Sequence, residues 1–211
     1  MKNILIIGAH FDDAELGAGG SAAKWVSQGK KVYKYTLTDN ETIFPQRNIH
    51  VKFEDSKRQS EQAAKAIGMV EIENTDPAPH GKLMFSQEQM QRVESIIFDY
   101  NIDTVIIHFN GDAHQDHVEA CRICLAAARH CKNILQYQSN GYIMDNEFRP
   151  TYFVDITDFV EQKKKALACY GTEHNRMNRL FGTNLERNHL WGYANEVEYA
   201  EGFKVIKMLE I

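Results

Sequence analysis

The stretch Ala9-His10-Phe11-Asp12-Asp13-Ala14-Glu15 follows directly on the apolar run Ile4-Leu5-Ile6-Ile7-Gly8. A short unbroken apolar run closed by glycine reads as a strand buried on both faces, the kind that parallel sheets contain. The polar stretch therefore stands at the carboxyl end of a strand, where open α/β sheets carry their chemistry. One histidine and two adjacent carboxylates at that point can hold a metal and leave one carboxylate over. Metal-assisted hydrolysis needs both a Lewis acid and a base, so the pairing is informative.

Working outward, apolar and amphipathic segments alternate. The first helix is expected from about Ala14 to Gln28 with Gly29 as its stop, the second strand over Lys31–Leu37, and a loop at Thr38-Asp39-Asn40-Glu41-Thr42. A long helix is expected from about Asn48 to Ile67, a short strand near Glu71–Glu73, and a helix to Tyr100 opened by the capping box Ser86-Gln87-Glu88-Gln89. The fourth strand is Thr104–His108, with a helix from about Gln115 to His130. This order implies a single Rossmann-like α/β domain over residues 1–211, with a mostly parallel sheet flanked by helices. Ile134–Gln138 and Tyr152–Val154 read as further strands, and Thr157–Ala168 as a helix with a threonine N-cap.

The 211 residues are 43% hydrophobic and 25% charged with a net charge of −5, the range of an ordinary globular chain. That acidity argues against nucleic acid and anionic membrane as partners, and no apolar run is long enough to cross a bilayer. The chain enters a strand from Met1 without an apolar leader, so a cytoplasmic location is expected. Oligomeric state is not legible. The four cysteines, Cys121, Cys124, Cys131 and Cys169, read as packing residues, since Cys121-x-x-Cys124 has no second pair and lies among apolar helix positions. Between Lys163 and Trp191, six basic residues (Lys163, Lys164, Lys165, Arg176, Arg179, Arg187) face two acids, Glu173 and Glu186. This segment reads either as a solvated face or, within His174–His189, as a substrate lid that attracts phosphate or carboxylate.

A second constellation follows the fourth strand: Asn110-Gly111-Asp112-Ala113-His114-Gln115-Asp116-His117. Two carboxyl ends of a parallel sheet share one edge, so this stretch can converge with the first. His10, Asp13 and His117 then supply three nitrogen and oxygen ligands and leave a fourth position open, as catalytic zinc sites require. Asp12, beside a ligand without being one, suits a general base. His114 suits an oxyanion donor or a proton donor to a leaving amine, and Asp116 suits holding the tautomer of His114 or of a ligand histidine. Asp112 reads as a helix-entry residue and His108 as a packing residue. None of His50, His80, His130, His174 and His189 is assigned to the metal. Gly17-Ala18-Gly19-Gly20 lies too far beyond the strand for a dinucleotide loop and reads instead as close packing of the first helix on the sheet.

With both stretches in view, the chain resembles the LmbE-like or PIG-L-like zinc-dependent N-deacetylases. That family has Ala-His-Pro-Asp-Asp followed by Leu-Gly-x-Gly-Gly, matched by Ala9–Asp13 and Leu16–Gly20, and then His-x-Asp-His, matched by His114–His117. Arg58-x-x-Glu61 with Ile67-Gly68, and Tyr199-Ala200-Glu201-x-Phe203, are weaker matches in the same order. The resemblance implies His10, Asp13 and His117 as ligands of zinc or another divalent transition metal. It also implies Asp12 as base, His114 as oxyanion group with Asp116 as its partner, and Arg58 as a substrate contact. Arg58 reads alternatively as an exposed charge paired with Glu61. Phe11 replaces the family's proline and is a candidate pocket residue. Asp39-Asn40-Glu41 replaces an Asn-Gly-Glu or Asp-Gly-Glu loop, which asks Asn40 for a left-handed backbone and makes Glu41 a candidate substrate contact. Tyr170-Gly171-Thr172-Glu173 departs from a His-x-Ser-Gln pattern at the substrate wall.

The expected function is removal of the acetyl group from an N-acetylated amino sugar, with nucleotide-linked or phosphorylated sugars suggested by the basic segment. An amidohydrolase acting on a non-sugar amide or thiol conjugate, and a zinc-bound sugar-binding module without activity, are the alternatives.

Overall fold

The structure, a computed structural model, describes residues 1–47, 49–142, 145–170 and 181–209. Its elements in chain order are β1 (Asn3–Gly8), α1 (Asp13–Ser27), β2 (Lys31–Thr36), β3 (Thr42–Phe44), β4 (Ile49–Val51), α2 (Phe53–Ile67), β5 (Val70–Ile72), α3 (Gln87–Asp99), β6 (Thr104–His108), α4 (Gln115–Ala127), β7 (Asn133–Tyr137), β8 (Tyr152–Asp155), α5 (Val160–Ala168), α6 (Gly182–Ala194) and β9 (Ala200–Lys207). The main sheet runs β5-β2-β1-β6-β7-β9-β8. Its first five strands are parallel, and β9 and β8 are antiparallel to what they join. The strand order reverses between β1 and β6, so the crevice outside their carboxyl ends is the switch point where such sheets bind ligands.

Both faces are covered. Ile4 and Ile6 pack with α1, α2 and α5 on one side, while Leu5 and Ile7 pack with α3 and α4 on the other. A strand dry on both faces has no polar alternation, which is why β1 was readable as an apolar run. The cysteines of α4 and the turn after it are free and buried in the second core layer.

The glycine run does pack α1 against the sheet. A Cβ on Gly17 would stand 1.9 Å from Tyr137 Cδ2, and one on Gly20 would stand 2.7 Å from Ile156 Cδ1. Helix α1 is kinked at Ala18 (φ −147°, ψ 16°). Beyond the kink, Glu201 of β9 accepts hydrogen bonds from the backbone amides of Gly20 (3.0 Å) and Ser21 (2.7 Å). Lys163 of α5 neutralises that carboxylate at 2.7 Å and also donates to Leu16 O and Asn188 Oδ1. One buried ion pair thus ties α1, α5, α6 and β9 together.

Several boundaries differ from the sequence reading. The helix expected from Asn48 starts at Phe53; the β-branched Ile49 and Val51 instead form the antiparallel β3–β4 hairpin, and Asn48 lies outside the described residues. Thr157 does not cap a helix. It opens a 3-10 turn, its hydroxyl accepts from the Tyr199 amide, and α5 begins later without a side-chain cap. Strand β9 was not anticipated, although Phe203-Lys204-Val205 alternates as a strand does. The segment read as a lid falls only partly within the described residues: Gly171–Leu180, including His174, Arg176 and Arg179, lie outside them, and Gly182–Ala194 is helix.

Candidate functional site

The turn after β1 and the turn after β6 meet as expected. His10 Nδ1 lies 3.2 Å from His117 Nε2 and 3.4 Å from Asp13 Oδ2, and His117 Nε2 lies 3.4 Å from Asp13 Oδ1. Four ligands held at about 2.0–2.1 Å around a tetrahedral ion are separated by roughly 3.3–3.4 Å. Each histidine nitrogen stands near that separation from a different Asp13 oxygen, one ligand atom from each of the three side chains lies within 4.8 Å of the others, and all three are buried. His10 and Asp13 come from the turn into α1, while His117 is on the first turn of α4.

Each ligand is held from behind. Asp116 Oδ2 lies 3.1 Å from His10 Nε2, and the same carboxylate accepts the amides of Gly81 (2.7 Å) and Leu83 (3.1 Å). Asp112 Oδ2 lies 3.0 Å from His117 Nδ1, and its Oδ1 accepts the His114 amide. Both histidines thus present one nitrogen to the common centre and the other toward a carboxylate; the His10–Asp116 contact is a hydrogen bond of the kind that fixes tautomer and ring orientation in metal sites, whereas the His117–Asp112 contact is close without hydrogen-bond geometry. Asp13 Oδ2 accepts the His10 amide at 2.7 Å and lies 3.1 Å from His108 Nε2. His108 in turn stacks on His117 with ring centroids 4.1 Å apart.

Two assignments change here. Of the two roles read for Asp116, the structure has the second: its carboxylate serves His10, a ligand histidine, and only its amide meets His114, so the His114 partnership implied by the resemblance is the part that changes. Asp112 is more than a helix-entry residue, because its second oxygen backs His117. The N-cap of α4 is His114 itself, whose Nδ1 accepts the Asp116 amide at 3.2 Å. An acceptor at Nδ1 leaves the proton of the neutral ring on Nε2. Burial, helped by the neighbouring His10 and His117, pushes the His114 pKa down to about 4, so at neutral pH this ring is a neutral N–H donor.

The electrostatics suit a cation. Burial alone would lower the His10 pKa, but hydrogen bonds to Asp116 and Asp13 and the charges of Asp13 and Asp12 raise it to about 10. Burial would raise Asp13, yet the charges of His117 and His108 and the hydrogen bonds from His10 and His108 hold it well below the ordinary carboxylate range. The site keeps its carboxylates ionised and holds a proton where a metal would replace it. Asp12 is buried at the mouth of α1, within reach of this field.

His80 was missed. The segment carrying it is clamped over the site by the Asp116 bonds to Gly81 and Leu83, and by Asp39 Oδ1, which accepts the His80 amide at 2.9 Å. Its ring lies 4.6 Å from that of His10 and 5.7 Å from that of His114, and its Nδ1 is buried without a partner. Nothing local marks it; the only sequence signal is a histidine in the Pro79-His80-Gly81 turn.

The remaining candidates lie around the rim. Asn40 has the left-handed backbone expected of it (φ 57°). Glu41 is exposed, 3.7 Å from the half-exposed His50. Arg58 is exposed on α2 and pairs with Asp55 at 2.7 Å, not with Glu61. Phe11 is buried, 6.2 Å from the ring of Phe53, and lines a cavity beside β2. The basic segment makes no substrate cradle among the described residues: Lys163 is buried on Glu201, Lys164 pairs with Glu161, and Arg187 is turned inward onto Gln138.

A sheet switch point carrying a mixed nitrogen–oxygen trio, with a further carboxylate beside it, has the residue types that metal-assisted hydrolysis requires. The sequence matches the family described as PIG-L: GlcNAc-PI de-N-acetylase over residues 5–128, and the chain belongs to that family of hydrolytic deacetylases. It is 28% identical over 165 residues to the uncharacterized deacetylase YaiS of Escherichia coli K12, covering 74% of this chain and 83% of that protein. Its fold matches N,N'-diacetylchitobiose deacetylase from Pyrococcus horikoshii with a TM-score of 0.79 at 19% identity, over 97% of this chain and 84% of that one. It also matches GalB, the 4-carboxy-2-hydroxymuconate hydratase of Pseudomonas putida KT2440, with a TM-score of 0.83 at 17% identity, over 100% of this chain and 98% of that one. The same fold thus carries more than one use of water, and the reaction has to be argued from the site. Among the described residues no helix is long and apolar enough to cross a membrane.

Proposed function

We propose that this chain removes the acetyl group from an N-acetylated amino sugar, with His10, Asp13 and His117 holding zinc. The observation that carries the reading is the convergence of those three buried side chains beside Asp12 and a neutral, donating His114. When bound, the metal supplies a Lewis acid and an acidified water. Asp12, next in sequence to ligand Asp13, takes the proton from the attacking water. His114 donates its Nε2 hydrogen to the oxygen of the acetamide as the carbonyl becomes tetrahedral. Asp12, now protonated, returns the proton to the departing amine. Asp116 and Asp112 hold the ligand rings and take no proton in the cycle.

Two measurements test this: metal content of the purified protein, and amine release from a panel of N-acetylated sugars set against other acyl amides. Asp12→Asn is expected to keep its metal while turnover falls on the order of a hundredfold or more. Undiminished turnover in that variant rules out Asp12 as the base. Release from simple amides but not from sugars rules out the substrate class.

A further inference from the structure

Lys34 lies within β2 and is fully buried, yet the chemistry above does not use it. An ammonium leaves water only where its hydrogens find acceptors. Here the Nζ hydrogens meet Glu15 Oε1 of α1, Ser60 Oγ of α2 and the carbonyl of Phe11, each at 2.7 Å, and Tyr170 Oη lies 3.0 Å away. Glu15 alone neutralises the charge. The bond to Phe11 is a further one, and it lands inside the turn that carries the site.

That carbonyl belongs to the peptide joining Phe11 to Asp12. A peptide is planar, so holding its oxygen also holds the amide of Asp12. Tyr170, in the turn after α5, donates its hydroxyl to the same oxygen at 2.8 Å. The oxygen thus accepts one bond from β2 and one from beyond α5. The neighbouring ligands have other supports. His10 is bonded to Asp116, its amide is held by Asp13, and Asp13 also meets His108. The turn is therefore held twice, by one set of bonds on the ligand side chains and by a separate set on the Phe11–Asp12 peptide.

We propose that Lys34, with Tyr170, is a positioning residue for the general base: through the Phe11 carbonyl it sets the peptide from which Asp12 reaches the attacking water. The proposal rests on the reading of Asp12 as base. If Lys34 were only the counter-ion of Glu15, removing both charges together would make it dispensable. Lys34→Met combined with Glu15→Gln does this, and it leaves the Phe11 carbonyl with Tyr170 alone.

The test measures amine release, metal affinity by chelator competition and thermal melts for Lys34→Met, for the Lys34→Met/Glu15→Gln pair and for Tyr170→Phe. The paired variant should recover most of the melting temperature that Lys34→Met loses, while kcat stays about 10- to 100-fold down, the scale of a 1 Å misplacement. KM and metal affinity should stay within about twofold of wild type. Recovery of kcat in the paired variant overturns the proposal, because Lys34 is then only a counter-ion. A fall in metal affinity that matches the fall in kcat also overturns it, because Lys34 then acts on the ligands. Added to Asp12→Asn, the pair should cost less than about twofold more, since both changes strike one function; a full further loss overturns the proposal. Should the paired variant fail to fold, Tyr170→Phe frees one bond to the same oxygen without touching a charge. Its kcat should fall severalfold at unchanged metal affinity, and an unchanged kcat overturns the proposal. Crystal structures of the zinc-loaded wild type and paired variant give a readout that needs no turnover. The Asp12 carboxylate should move by about 1 Å while His10, Asp13 and His117 superpose; an unmoved carboxylate overturns the proposal. If it moves but no acetylated compound is hydrolysed by wild type, the positioning role stands and the deacetylase reading falls.

Discussion

The histidine–carboxylate cluster and the Lys163–Glu201 node are both buried and both charged, but they spend that charge differently. At the node every strong group is satisfied: the carboxylate takes two amides and an ammonium, and the ammonium reaches three acceptors. At the cluster, two imidazole nitrogens and a carboxylate converge, with carboxylates ranked behind them. The node is a closed account of charges that fixes helix α1, and the cluster is an open one that a cation completes. Buried ions retained for structure are neutralised locally, whereas those that await a ligand are not.

Breaking the node should have the largest effect on folding. Glu201→Ala strands Lys163 and two amides at the α1 kink and is expected to cost about 3–5 kcal/mol. Denaturant unfolding measures this, and a loss under 1 kcal/mol would make the node dispensable. Asp116→Asn acts on the other region. It should leave unfolding nearly unchanged while weakening metal affinity about 10- to 100-fold, read by competition with a chelator. Because Asp116 also helps keep a proton on metal-free His10, the variant's affinity should rise less steeply with pH.

A third test uses Glu15, buried against Lys34 beneath the site. Burial raises its pKa to about 6 from 4.5 despite the lysine. Since the folded value is the higher one, the folded state gives up its proton less readily than the unfolded chain. The stability that protonated Glu15 contributes is complete below about pH 4.5 and is lost as pH rises toward 6, on the order of 1–2 kcal/mol. Glu15→Gln should flatten that part of the stability–pH curve; an unchanged slope would show that Glu15 does not titrate there. The smallest effect is expected at Arg58, whose ion pair with Asp55 is exposed. Arg58→Ala should change stability by less than about 1 kcal/mol, so a large fall in catalytic efficiency with unaltered melting would assign it to substrate.

Much of this contrast was legible early. The strand-end positions of His10–Asp13 and His114–His117 follow from local patterns, because a doubly buried strand writes itself as an apolar run and its end is marked by the first polar residues. The glycines of α1 were readable for a similar reason, since a residue without a side chain invites close approach. Other parts were out of reach. His80 and Glu201 act through contacts far away in sequence, and β9 is held in the sheet by its neighbours. Asp116 and Asp112 were visible as acids near the second motif, but which histidine each one backs depends on where the α4 turn sits relative to β1.

The sequence by itself determined the fold class, the edge of the sheet that carries the chemistry, and the residue types gathered there, because these depend on periodicity and on what ends a buried strand. Only the tertiary structure decided the pairing of carboxylates with histidines, the inward turn of Lys163 and Arg187, and the seat of Lys34 against the Phe11 carbonyl. Those features arise from packing elements remote in the chain, and hydrogen-bond and charge partners over a few ångströms are fixed by that packing alone.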